Sequence, residues 1–266
     1  MCVIKDTETV YNQIIKNSEN SDFIKTLNLK DYHLTLKGCC KHVIKLLREE
    51  DIIKSMLSSQ GSEDWKKLRQ LRITGSRCYS LFTYKQDNWN LKADKYFWPK
   101  SFVSKFTEYG KKYEQNAMKA YKTRNKTYEV FVPGFVVCKL YPWFGYSPDG
   151  IVFENGHPIR LVEIKCPYTG KENDESTFIQ NCDYLQRCGN DIQLKKNHTY
   201  YGQVQLGMVI LNLKSTDLVL YSSASNNFLN IRIPFDEEFS TTFMNTLHDN
   251  YFNYMLHVYC ENKVYH

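Results

Sequence analysis

The dipeptide Asn155-Gly156, set between Ile151–Phe153 and Ile159–Ile164, constrains this chain more than any other feature. Both residues accept the positive φ that a tight hairpin turn demands, so the flanking apolar segments read as two antiparallel strands. In a strand, alternate residues share a face. Glu163 and Lys165 therefore project together, while Val162, Ile164 and Cys166 turn into apolar surroundings. A slip of one residue would send every side chain to the other face.

This phase rule bears on the stretch just upstream, Ser147-Pro148-Asp149-Gly150. A two-residue turn at Asn155-Gly156 sets Asp149 opposite Val162, on the wrong face for Glu163. A three-residue loop, Asn155-Gly156-His157, or one bulge sets it opposite Glu163. Pro158 disfavours tight pairing there, so the second arrangement is expected. Two carboxylates and an ammonium on one face suit a divalent cation and a nucleophilic water. An exposed hairpin with a surface Glu-Lys pair is the plainer alternative.

A third carboxylate lies on a helix read over residues 102–123. Glu114 shares a face with Gly110, Ala117, Met118 and Tyr121. On an apolar stripe a carboxylate costs free energy unless it is paired or binds metal. A boundary glutamate paired with a lysine is the alternative.

The remaining chain supplies the frame. Residues 1–60 read as polar helices, with Val43, Ile44, Leu46 and Leu47 forming one apolar face and Ile52, Ile53, Met56 and Leu57 a second. Ser58-Ser59-Gln60-Gly61-Ser62 reads as a loop, dividing a helical N-terminal extension (1–60) from a main domain (61–266). Residues 63–84 read as helix, turn and helix, with Thr74-Gly75-Ser76 as loop and N-cap. Val130–Cys138 is strand-like, 170–197 is a polar stretch beginning as loop, and Tyr200–Leu211 fits helix or strand. Leu218–Ser222 and Phe228–Ile233 read as a strand pair, and Phe235–Cys260 as an amphipathic helix. The mixture implies an α+β fold, a mixed sheet flanked by helices.

Composition narrows the class. Of 266 residues 42% are hydrophobic and the net charge is +6, which excludes wholesale disorder. No run approaches the length of a membrane span, and the N-terminus carries no secretion signal. Nine cysteines, an odd and scattered set, read as reduced thiols of an intracellular protein. Cys39-Cys40-Lys41-His42 has zinc-ligand chemistry but lacks the four ligands of a structural site. It reads instead as a helix starting near His42 with buried thiols.

Together these residues resemble the lambda-exonuclease-like (YqaJ-type) viral recombinase nucleases of the PD-(D/E)xK superfamily. Trp65-x-x-x-Arg69 with Arg72-Ile73-Thr74-Gly75-Ser76 resembles the first motif, and Glu114 the helical glutamate. Ser147–Gly150 and Glu163–Tyr168 resemble the catalytic core, and Tyr200–Gln205 the last motif. The resemblance spans about residues 65 to 211. It implies a restriction-endonuclease-like α/β/α core and a nuclease, a 5′→3′ exonuclease on double-stranded DNA ends, in viral or mobile-element recombination.

By the same resemblance, Asp149, Glu163 and the carbonyl of Ile164 would hold Mg²⁺, with Mn²⁺ as a substitute, and Glu114 would serve that site or a second metal. Lys165 would orient or help deprotonate water, and Gln203 would position either. Arg69, Ser76 and Ser147 would bind a 5′ phosphate, with Tyr200 lining the site. Family members can form toroidal trimers, and an annealing protein is a common companion; for this chain the resemblance implies a homotrimer and an annealing partner, with an intracellular location such as the nucleus or a viral replication site. An endonuclease, a structure-specific nuclease or a silent DNA-binding module are the other readings. From the residues alone, Trp65, Trp143 and Phe144 read as packing.

Overall fold

The structure is a computed structural model that describes residues 7–27, 29, 36, 38–100 and 103–258. Four helices open it: α1 (Thr7–Glu19), α2 (Asp22–Thr26), α3 (Gly38–Arg48) and α4 (Ile52–Leu57). Side-chain caps set their starts where the sequence offers them. Ser21 accepts from the Ile24 N–H, and Asp51 from that of Lys54. Val43, Ile44 and Leu47 are buried as expected, whereas Leu46 is 51% and Leu57 59% exposed.

These helices share the core of the rest of the chain. Val10, Tyr11 and Ile14 join its largest apolar cluster. Asn17 Nδ2 and Ser18 Oγ donate to the carbonyls of Leu211 and Ile210, at 2.7 and 2.6 Å. Those carbonyls belong to the last turn of a later helix and have no partner within it.

Next come α5 (Glu63–Gln70), capped by Ser62, the two-residue β1 (Ile73–Thr74), α6 (Gly75–Phe82) and α7 (Trp89–Phe97). The N-cap position of α6 is Thr74, not Ser76, and its hydroxyl does not cap. It accepts instead from Arg77 Nε at 3.3 Å. Ser76 sits within the first turn of α6. The long α8 (Lys105–Arg124) starts three residues later than expected, where Ser104 and Thr107 form a reciprocal capping box.

Five strands follow: β2 (Glu129–Phe131), β3 (Val136–Val137), β4 (Phe144–Tyr146), β5 (Gly150–Glu154) and β6 (His157–Lys165). Two 3₁₀ turns, a short α9 (Phe178–Asn181) and a hairpin of β7 (Leu185–Cys188) and β8 (Asp191–Leu194) occupy the polar stretch. That hairpin was not foreseen. Its strands have four residues each, and only Leu185 and Leu194 are buried. Then come α10 (Thr199–Leu211), β9 (Ser215–Ser222), β10 (Asn227–Pro234) and α11 (Glu237–Asn250), which continues as a π-helical turn over Tyr251–Met255. Cys260, the expected end of this helix, lies outside the described residues, as do Cys2 and the side chain of Cys39. Among the described residues no helix is long and apolar enough to cross a membrane.

The main sheet has the order β10-β9-β6-β5-β2; β6 and β9 are parallel and the other pairs antiparallel. A smaller sheet, β1-β4-β3, carries the chain into it. The α+β expectation, a mixed sheet flanked by helices, holds. α10 lies on one face. It is buried nearly all round, so it shows no helical periodicity, which is why helix and strand both fitted its sequence. α8 lies on the other face, packing Ala117 and Tyr121 on Val152, Val162 and Val219.

The hairpin solves its phase problem in its own way. The loop has two residues, Asn155 at φ 50° and Gly156 at φ 81°, not three. The register then shifts: Phe153 faces Pro158 but Val152 faces Arg160, leaving Ile159 as a bulge. Pro158 fits because hydrogen-bonded and open pairs alternate along an antiparallel ladder. Glu154 and His157 close the turn, so the missing N–H of Pro158 points away from β5, and β9 begins only opposite Leu161.

Candidate active site

The bulge brings Gly150 opposite Val162, and the same register carries Asp149 across from Glu163. Asp149 Oδ2 accepts from the Ile164 N–H at 2.7 Å. In an extended strand a residue's N–H and C=O leave by the same edge, so the Ile164 carbonyl faces the Asp149 side of β6 too. Gly150 itself has a packing reason. A Cβ there would sit 3.0 Å from both Met118 Cε and Val130 Cγ1, so glycine lets α8 lie close over the start of β5.

Glu163 is only 2% exposed and fully engaged. Its Oε2 accepts from the Tyr146 hydroxyl at 2.7 Å, and its Oε1 from Lys165 Nζ at 2.8 Å and from Gln203 Nε2. Lys165 Nζ also lies 3.4 Å from Gln203 Oε1 and 4.5 Å from the centre of the Tyr200 ring. Thus Glu163, Lys165, Gln203 and Tyr200 form one contact set, the last two being one turn apart on α10.

The charges are unbalanced. Burial, then the negative charge of Glu163, pushes the Asp149 carboxyl well above the usual range; Lys165 and the Ile164 N–H only partly oppose this. Burial and Glu163 also raise Glu114, against the pull of Lys165 and Lys111. For Lys165, burial favours the neutral amine, but Glu163, Tyr200 and Asp149 outweigh it and hold the ammonium above its ordinary range.

Glu114 reaches the other two carboxylates through its charge, which Asp149 feels and Glu163 returns. It lies on α8, against the sheet face opposite to the one bearing Glu163, and makes no hydrogen bond among the described residues. Likewise, no group of three or more His, Cys, Asp or Glu side chains is arranged there to hold a metal ion. The Cys-x-His pair fares no better, with Cys40 buried and His42 exposed.

A second cluster lies just up the chain. Ser147 Oγ accepts from Trp65 Nε1 at 2.8 Å and from Arg69 at 3.4 Å, and Arg69 also donates to Ser76 Oγ at 2.9 Å. The guanidinium lies 4.1 Å over the Trp65 ring. Trp65, read as packing from sequence, therefore holds both serine and arginine in place. Burial and the nearby Arg77 lower Arg69 to about 10, so it remains a cation at neutral pH, with no carboxylate partner among the described residues. Arg77 was also missed; it donates to the Arg69 and Tyr96 carbonyls. Arg72 is structural, donating to the carbonyls of Pro142, Leu68 and Leu47. Trp143 and Phe144 are core, as expected.

Residues 64–218 match the YqaJ-like viral recombinase domain. The chain belongs to the YqaJ-like viral recombinase family. No curated protein matches it. Among solved structures it is similar to the alkaline exonuclease LHK-Exo from Laribacter hongkongensis, with TM-score 0.56, 20% identity, and coverage of 76% of this chain and 95% of that one. The LHK-Exo complex with dAMP gives 0.57, 21%, 76% and 95%. The Kaposi's sarcoma-associated herpesvirus SOX protein, in an RNA complex, gives 0.50, 11%, 83% and 77%. At such identities the likeness is one of fold.

The residues fit a hard divalent cation. Every candidate ligand atom at the Asp149–Glu163 edge is oxygen, and the repulsion among the acids there, which Lys165 only partly offsets, is what a cation would remove. Asp149, Glu163 and the Ile164 carbonyl are the groups that would hold it.

Proposed function

We propose that this YqaJ-type protein is a metal-dependent deoxyribonuclease that removes nucleotides 5′→3′ from 5′-phosphorylated ends of double-stranded DNA, in viral or mobile-element recombination. One observation carries the reading: Asp149, Glu163 and Lys165 converge two residues from Ser147, which Arg69 contacts together with Ser76. A terminal phosphate would meet the Arg69 fork and both hydroxyls, with the first turn of α6 adding its positive end.

When bound, Mg²⁺ or Mn²⁺ supplies positive charge that offsets the phosphodiester's own and makes water a better nucleophile. The chain's residues do the rest. Glu163 holds Lys165, and Gln203 and the Tyr200 face confine it. Lys165, kept as ammonium, orients water and meets charge developing on the phosphate, a role closer to electrostatic stabilisation than to proton abstraction. The intact acid–lysine set speaks against a silent binding module.

The test is degradation of linear, nicked and closed circular DNA, with and without 5′ phosphate, in Mg²⁺ and in EDTA. Mg²⁺-dependent loss of phosphorylated linear duplex alone is expected. Cutting of closed circles would make the protein an endonuclease, and no cleavage of any substrate would remove the enzyme.

A further inference from the structure

α8 carries six lysines and arginines against two glutamates, a net +4 beside +6 for the whole chain. Part of this charge is spread unevenly round the helix. Lys111, Lys119, Lys122 and Lys126, the last just past the helix end, recur at intervals of eight, three and four, with Gln115 between the first two. At 100° per residue they fall within a single narrow stripe. All four are exposed. None forms an ion pair among the described residues, while lysines elsewhere do, as in Lys66–Glu63, Lys45–Glu49 and Lys196–Asp236. Like charges at such spacing destabilise a helix, so the stripe is a cost to the fold by itself.

The stripe begins at the candidate active site. Lys111 is near enough to Glu114 to lower that carboxyl's proton affinity. From there to Lys126 it runs about 22 Å at 1.5 Å per residue. Strand phosphates advance roughly 3.4 Å per base pair along a duplex, so its length matches about six steps.

We infer that this stripe is the track for the sugar-phosphate backbone of duplex DNA leading away from the catalytic carboxylates. The inference rests on the nuclease reading for its choice of polyanion. It assigns to α8 a role that none of the motif residues has: holding the part of the substrate not being cut. Four ammonium groups on flexible stems read no sequence, so the contact is independent of base composition.

The test separates this inference from the nuclease reading. Binding of a blunt duplex longer than the stripe is measured in EDTA, without cleavage, over a range of salt. The K111A/K119A/K122A/K126A variant keeps good helix formers on an exposed face. Each lost phosphate contact should flatten the slope of log affinity against log salt by about 0.9, so the variant's slope should be shallower by roughly 3 to 4. A control lacking Lys25, Lys45 and Lys139, which lie elsewhere and are paired, should match the parent. A K119E/K122E double variant, with the same net change in charge at half the positions, should weaken binding in the same direction.

An unchanged slope in both stripe variants overturns the inference and leaves the stripe for an acidic protein surface. A parent that binds with a stripe-dependent slope but cleaves nothing in Mg²⁺ would sink the enzyme and keep the track. A parent that cleaves, with variants bound at the parental slope, would do the reverse.

Discussion

The Tyr146 hydroxyl donates to Glu163 Oε2 at 2.7 Å inside a closed core, so one oxygen of a candidate metal ligand is held by a residue with no place in any motif. Replacing Tyr146 by Phe keeps the ring and removes only that donor. The orphaned carboxylate oxygen should cost about 1–3 kcal/mol. Thermal unfolding should show the loss, and Mg²⁺-dependent turnover should fall. A Y146F protein equal to the parent in both would show that Glu163 needs no such support.

The same ring explains a glycine. In most helices Gly→Ala is stabilising by about 1 kcal/mol. At Gly207 on α10 a Cβ would lie 2.7 Å from both Tyr146 Cζ and Leu161 Cδ2. Overpacking of this kind costs roughly 1–3 kcal/mol, which reverses the sign. G207A should therefore melt earlier than the parent and lose activity, because the displaced ring carries Glu163 with it. A higher melting temperature would contradict this packing.

Asp149 should make the metal-free protein more stable at low pH than at high. Its folded pKa is raised, so between the ordinary carboxylate range and that value the native state binds the extra proton. Stability then falls as pH rises through that window. D149N removes the penalty: in EDTA its melting temperature should exceed the parent's at pH 8, by about 2–4 °C for each kcal/mol, and the gap should close towards pH 4. The same substitution should abolish Mg²⁺-dependent cleavage. Cation affinity of the parent, read by calorimetry, should rise with pH as the proton is displaced.

Arg69 reaches Ser147 and Ser76 with different nitrogens. Lysine cannot reproduce that fork or its stacking on Trp65. R69K should lower the preference for 5′-phosphorylated over 5′-hydroxyl ends by about tenfold, the worth of one charge-assisted hydrogen bond. Competition between the two end types reads it directly. An unaltered ratio would place the terminal phosphate elsewhere.

The parts of the site legible in the sequence were those governed by strand alternation. Glu163 and Lys165 had to share a face, and Asp149 could join them only if the pairing gained a residue. The strand ladder supplied that residue as a bulge, a device that no local signal marks. Gln203 and Tyr200 followed from resemblance, since their helix is buried all round and shows no period. Tyr146, Trp65 and Arg77 were beyond reach. Their roles come from contacts made across the small sheet and between helices, and an aromatic ring in a core looks the same in sequence whether or not it holds a ligand. The β7–β8 hairpin was lost because each strand buries a single leucine.

Ile159 has a consequence for how such a gene can change. Hairpin tips are ordinarily where chains accept added or missing residues most freely. Here the count between Asp149 and Glu163 fixes which residues stand across from one another, and β9 holds β6 from its other side. Lineages of this protein should keep the number of residues from 154 to 160 constant, unless a second indel nearby restores the parity.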